Sequence, residues 1–224
     1  ASGPYTEQFT IFQISGVSST NTITLNGNGN AVQFTGTSTS AAHTILLNGA
    51  DYIIIDNLVV RALGSSIGRG IHLMNDAQYN TISNCTVEMP NMTSTSSSNF
   101  YMGLTNGTTS TLTYGNAGKE NTFSKNKMSA ATGAGPYYGM VNIDESSGST
   151  VKKNYFNDNV IKDFYYAGIF TYYAFQMSII GNEIHNTGNS RAGVKYGMYN
   201  YCYNKGGDYI IENNYIHDMM GTTT

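Results

Sequence analysis

The chain has 224 residues and a formal net charge of -3, with 11 Lys and Arg against 14 Asp and Glu; that balance leaves no electrostatic footprint for nucleic acid or an anionic membrane surface. Only 11% of residues are charged, while 18 Tyr, 9 Phe and 25 Gly stand against 3 Pro and no Trp, a bias toward strands and turns. No apolar run is long enough to insert in a membrane, and two cysteines, Cys85 and Cys202, make no disulfide framework and read as unpaired.

In chain order, the opening ASGPYTEQ has neither the basic nor the apolar region of a secretory leader. The first fifty residues then alternate apolar and polar positions in short runs: Phe9, Ile11 and Ile14; Ile23 and Leu25 in TITL; Val32 and Phe34 in AVQF; Ile45 and Leu47 in TILL. Asn-Gly pairs at 26–27, 28–29 and 48–49 separate them, supplying positive φ at tight corners. Such strands fit a sharply turning coil and equally a β-sandwich. The repeat that begins at Tyr52 tips the choice toward the coil.

From Tyr52 an eight-residue template recurs: YIIIDNLV at 52–59, NTISNCTV at 80–87, NTFSKNKM at 121–128, NYFNDNVI at 154–161, MSIIGNEI at 177–184 and YIIENNYI at 209–216. In register, the third place holds Ile54, Ile82, Phe123, Phe156, Ile179 and Ile211, and the eighth Val59, Val87, Met128, Ile161, Ile184 and Ile216. The sixth holds Asn57, Cys85, Asn126, Asn159, Asn182 and Asn214. A second motif, Gly followed by an aliphatic residue, alternates with the first as Gly70-Ile71, Gly103-Leu104, Gly139-Met140, Gly168-Ile169 and Gly197-Met198. The shortest full period is 23 residues, Asn159 to Asn182, and the others are longer, which marks a solenoid with variable loops. The Ser/Thr/Asn-rich stretches at 86–101 and 107–120 cannot bury a core and are expected outside the coil stack.

These interleaved motifs resemble the right-handed parallel β-helix repeats of the pectate-lyase-like superfamily, of the form N-x-I-x-N-N-x-I followed by G-I, over roughly Asp51 to Ile216. The opening GPYTEQFTI with STNTITLNG is similar to the first coils of β-helix regions in large secreted surface proteins of Bacteroidota. The resemblance implies an all-β, right-handed parallel β-helix of about six or more coils, secreted or at the cell surface of a bacterium. It implies one domain over residues 1–224, with N-terminal coils over 1–50 and clear repeats over 51–216. Because MMGTTT comes after a repeat, where a further strand is due, the chain is expected to be part of a longer one. A residue recurring once per coil stacks on itself at the strand spacing of ~4.8 Å. Asn57, Asn126, Asn159, Asn182 and Asn214 are therefore expected to form an amide ladder, broken at Cys85.

Three places could carry chemistry. After the last templates His185 stacks on His217 beside Asp163 and Asp218, which is either a metal or acid/base site or simply a polar strand edge. On the Gly strands the first and third residues after Gly should face in, as Ile71/Leu73, Leu104/Asn106, Met140/Asn142, Ile169/Thr171 and Met198/Asn200. The second and fourth should face out, so the last two coils expose Phe170, Tyr172, Tyr199 and Tyr201, in a segment that also holds Tyr165, Tyr166, Tyr173, Tyr196 and Tyr203. Such a patch could stack on sugar rings of a polysaccharide or dock a neighbouring protein domain, unless loops of the chain cover it.

For catalysis the weak candidates are Asp144 and Glu145, which read more naturally as a solvated turn, and Arg191 and Lys195 in a later loop. The expected role is a structural, adhesive segment with no cofactor. The alternative is a carbohydrate-active enzyme on the same scaffold, a polysaccharide lyase using Ca²⁺ and a basic side chain, or a glycoside hydrolase using clustered carboxylates.

Overall fold

The computed structural model describes residues 3–105, 117–144, 153–174, 176–189, 191–201 and 208–219. Strands run from Tyr5–Thr6 to Tyr215–His217, with one 3-10 turn at Thr39–Ala41 among the described residues. They are dealt in rotation to three sheets, one strand to each per coil; the first sheet has eight strands and the second and third have seven. Neighbouring strands pair in parallel. The rotation completes seven times and Tyr215–His217 opens an eighth. The fold is an all-β parallel β-helix, with the solenoid and the coil number that the repeat predicts.

The interior is filled by columns. One runs Ile55, Ile82, Phe123, Phe156, Ile179, Ile211 up the third sheet. Another runs Val60, Val87, Met128, Ile161, Ile184, Ile216 up the first. Apart from Ile211 and Ile216 on the last coil, these side chains are buried. No single coil could bury such a face; stacking does it.

The first repeat corrects the sequence reading by one residue. Ile55, Leu58 and Val60 hold the places assigned to Ile54, Asn57 and Val59. Asn57 is exposed at φ 50, level with Asn84, Lys125, Asp158, Gly181 and Asn213, all of them also at positive φ. This left-handed corner residue is required once per coil; Asn57 fills it, and Leu58 takes the ladder place. The slip is invisible in the pattern because Ile53-Ile54-Ile55 and Val59-Val60 are apolar at adjacent positions, and a one-residue shift exchanges the buried and outer sets.

Above Leu58 the ladder is built as the repeat implies. The backbone N–H of Asn126 donates to Asn159 Oδ1 at 3.0 Å, that of Asn159 to Asn182 Oδ1 at 3.0 Å, and that of Asn182 to Asn214 Oδ1 at 2.9 Å. Each Nδ2 is shared between the next amide oxygen and a carbonyl of the coil before, as when Asn159 donates to Asn182 Oδ1 at 2.9 Å and Phe123 O at 2.9 Å. Cys85 ends the ladder by donating its N–H to Asn126 Oδ1 at 3.0 Å, while burial pushes its thiol up to about 11. Cys202 lies outside the described residues. A second ladder, from the first place of the template, joins Asn80, Asn121 and Asn154 through N–H and Nδ2 bonds of 3.0–3.2 Å. Both ladders satisfy corner backbone groups that would otherwise be buried without partners.

The second sheet brings a second correction. Met102 is level with Ile71 and Met140, so the residue in line with Gly70, Gly139, Gly168 and Gly197 is Tyr101, and Gly103 lies two places on. The inward pair of that coil is Met102/Leu104 and its outward pair Gly103/Thr105; Asn106 and Gly107 lie outside the described residues. A Cβ at the four glycines would overlap Val87, Ile161, Ile184 and Ile216, the branched side chains of the first-sheet column. The corresponding neighbour of Tyr101 in that series is Met128, the unbranched member, which makes room for a side chain. Tyr101 is buried, and its hydroxyl donates toward the carbonyls of Lys162 and Asp163, at 3.0 and 2.8 Å.

Candidate functional site

The outer face of the second sheet carries most of the groups singled out from sequence. Strict alternation would put Arg69, Phe100, Tyr138, Ala167 and Tyr196, just before the Gly column, on the inner side with Ile71 and Met140. Instead they join the outer face: Arg69 Cζ lies 5.4 Å over the Phe100 ring, His72 meets Phe100 edge-on at 5.3 Å, and Tyr138 stacks on Phe170 at 4.4 Å. These residues widen the outer row, where Phe100, Tyr138, Val141, Ile143, Ala167 and Phe170 form a second apolar cluster apart from the core of the stack.

In the early coils this face is polar and closed. His43, Arg69, His72 and Thr105 are all buried. Arg69 Nε donates to Ser98 O at 3.0 Å, and His72 Nε2 lies 2.7 Å from Thr105 Oγ1. Burial, reinforced by Arg69, holds His72 well below the ordinary imidazole range and brings His43 down to about 4. Arg69 and His72 flank the Gly70-Ile71 motif, but their partners His43 and Thr105 come from other coils and the residue types do not repeat, so the sequence gives the cluster little signal.

In the late coils the face is a wall of tyrosines. Phe170 is 8% exposed, set between Tyr138 and Tyr199, with Tyr172 beside it at 5.8 Å. Phe170 is therefore a core residue of the wall, contrary to its expected exposure. Tyr172, Tyr199 and Tyr201 are half-buried, and Tyr172 stacks on Tyr201 at 4.7 Å. Behind them Tyr137 stacks on Tyr166 at 4.9 Å, and Tyr196 stands edge-on to both Tyr166 and Tyr199. Coil stacking places ring over ring, so the faces are largely occupied by one another and the wall turns ring rims outward. Burial raises the hydroxyl pKa of Tyr137, Tyr138 and Tyr166, keeping them protonated donors. Tyr203 lies outside the described residues.

The described catalytic candidates, Asp144, Arg191 and Lys195, do not converge. Asp144 is 1% exposed rather than in a solvated turn, because its N–H continues the sheet by donating to Tyr172 O at 3.0 Å and its side chain is enclosed with it. Glu145 lies outside the described residues. Arg191 staples three segments, donating to Thr93 O, Gly135 O and Asn189 Oδ1 at 2.9, 2.5 and 3.1 Å, and lies 4.9 Å over the Tyr165 ring. Lys195 caps the same ring at 5.4 Å and donates to Arg191 O at 2.9 Å; burial lowers its pKa, with Arg191 adding to the effect. Arg191 and Lys195 thus meet at the start of the second-sheet strands, whereas Asp144 lies just past their end.

A cavity of about 580 Å³ at the first coil is lined by Phe9, Ile11, Ile23, Leu25, Val32 and Leu58 among others; it is the interior of the stack seen end-on. Among the described residues no helix is long and apolar enough to cross a membrane. No family model matches the sequence, and no curated protein matches it. Among solved structures it is similar to an alginate lyase from Paenibacillus sp. str. FPU-7, at 13% identity and a TM-score of 0.43, over 99% of this chain and 87% of that one. A likeness of that depth carries no argument about activity or substrate.

Proposed function

We propose that this β-helix is a stiff structural segment of a secreted or cell-surface bacterial protein, and that its tyrosine wall adheres to a polysaccharide. The observation that carries the reading is the row Tyr138–Phe170–Tyr199 backed by Tyr166 and Tyr196 and edged by Tyr172 and Tyr201. Half-buried rings lose little entropy on binding, and their hydroxyls supply donors and acceptors at a spacing fixed by the sheet. A sugar chain lying along the stack axis would meet these hydroxyls coil after coil. Recognition would run through ring edges, since the faces are already paired. Coils locked by two amide ladders give such a surface the rigidity that weak, repeated contacts need.

A lyase or hydrolase draws no support from the catalytic candidates, with Asp144 enclosed and Arg191 committed to three oxygens. The test is a binding screen of the purified protein against neutral and acidic polysaccharides, with Tyr172→Ala combined with Tyr201→Ala as the variant. Binding lost in the double variant with an unchanged circular dichroism spectrum supports the proposal. No binding across the panel would sink it. So would cleavage of an acidic polysaccharide that disappears in Arg191→Ala, which would move the protein to the enzymes.

A further inference from the structure

The first sheet ends in a group of side chains that the tyrosine wall does not use. Glu183 and His185 lie two apart on the strand Glu183–His185 and so share its outer face, while Ile184 between them is buried in the core. His217 is level with His185 on the adjoining strand, and the two imidazoles are parallel within 13° at 4.9 Å. Their spacing is dictated by the sheet. What the sheet does not dictate is that both Nε2 atoms approach the same carboxylate: Glu183 Oε1 is 3.2 Å from His217 Nε2 and 3.9 Å from His185 Nε2. The three donor atoms lie within 4.8 Å of one another.

The far side of His217 is fixed as well. Its Nδ1 lies 2.8 Å from Asp218 Oδ2, the carboxylate–imidazole pairing that sets the tautomer of metal-binding histidines and directs Nε2 at the ion. With Nδ1 donating to Asp218, a neutral His217 turns the lone pair of Nε2 toward Glu183 Oε1, an acceptor against an acceptor. Only a positive charge between them resolves that contact, either a proton on Nε2 or a metal ion bound to both atoms. Tyr215 stacks on His217 at 4.3 Å and walls one side. Lys162, level with His185 on the coil before, is drawn to Asp163 Oδ2 at 3.7 Å. Thr187 Oγ1 stands 3.5 Å from His185 Nδ1.

We propose that Glu183, His185 and His217 bind a divalent transition metal of the zinc type, with Asp218 as the positioning residue. Two imidazoles and one carboxylate form a borderline donor set that suits Zn²⁺ and disfavours Ca²⁺, which takes oxygen ligands. Donors about 2.1 Å from Zn²⁺ sit roughly 3.4 Å apart in a tetrahedron. The His217–Glu183 contact is already at that spacing, and His185 closes by a small side-chain rotation. With side-chain exposures of 14%, 44% and 23% for His185, Glu183 and His217, the site faces solvent and leaves a coordination position for water or a ligand atom.

The chain has four histidines, and the other two, His43 and His72, are buried in the early coils, so histidine ring NMR signals resolve the question. Zn²⁺ added to chelator-treated protein should shift two of the four sets of ring signals, saturating at one equivalent. Affinity should fall at least about 10-fold in His185→Ala and His217→Ala, and about 10- to 100-fold in Asp218→Asn, which leaves all three donors in place. Asp218 is exposed, so Asp218→Asn remains informative if deleting a ring loosens the last strand. Zn²⁺ that moves neither His185 nor His217, or binds the histidine variants as tightly as the parent, overturns the proposal.

Discussion

The Asn corner and the outer face of the second sheet are built by the same stacking operation and reach opposite results. At the corner, each coil contributes one neutral amide whose donors and acceptor are all consumed by the coils on either side. Nothing is left over for a partner. On the outer face, stacking superposes rings of varied tilt over two or three columns, face-on in some pairs and edge-on in others, so the pattern does not repeat from coil to coil. Identical repetition closes a surface; varied repetition leaves one that can bind.

This contrast can be broken most forcefully at the ladder. Asn159→Ala strips the acceptor from the Asn126 N–H and Nδ2 and the donor from Phe123 O, all buried. The expected loss is about 3–4 kcal/mol, read as a lower urea midpoint. Acid should separate the two regions next. Unfolded histidine takes up a proton near pH 6.5, whereas folded His43 does so near 4 and His72 is held well below the ordinary value. Between those values the unfolded chain binds more protons, so stability is full above about pH 6.5 and is lost as pH falls toward 4. The loss from His43 by about pH 5 is roughly 1–2 kcal/mol after allowance for screening, and His43→Gln should flatten the profile. The ladder, which holds no titratable group, should contribute nothing to it.

On the wall, Tyr172→Ala removes a half-buried ring and should cost only about 1–2 kcal/mol, because the rows behind it keep their contacts. A loss as large as that of Asn159→Ala would show that the wall is part of the core. The smallest effect is a gain. Cys85→Asn extends the ladder downward by one rung, and thermal unfolding should show stabilisation of about 1 kcal/mol. A fall instead would mean that Leu58, next in the column, leaves no room for an amide.

The solenoid, its coil number and the Asn159–Asn182–Asn214 ladder are legible in the sequence because stacking converts a period in the chain directly into a column in space. The errors fall where the period is ambiguous. Asn57 is misplaced because a run of apolar residues has no phase. Gly103 is misplaced because Tyr101, seated against flexible Met128, hides the column that Gly otherwise marks. The tyrosines are evident from their outward register, yet Phe170 reads as exposed because sequence does not show rings covering rings. Glu183 escapes notice beside His185 and His217, though its signal is present: it lies two residues before one histidine, on the same face of the strand. The His43–Arg69–His72 cluster is less legible: Arg69 and His72 stand in the same columns as Tyr138 and Phe170, but the residue type along each column changes from coil to coil.

The left-handed corner has a consequence for how such a chain can grow. In six successive coils the link from third sheet to first has two residues, a positive-φ residue and then the ladder place: 57–58, 84–85, 125–126, 158–159, 181–182 and 213–214. Within these six coils, variation in loop length falls at the other two corners. The molecule therefore has a spine and two margins. Along the spine each new coil is indexed to the one before it, and a segment inserted at either margin changes what the coil displays without changing where the next coil begins.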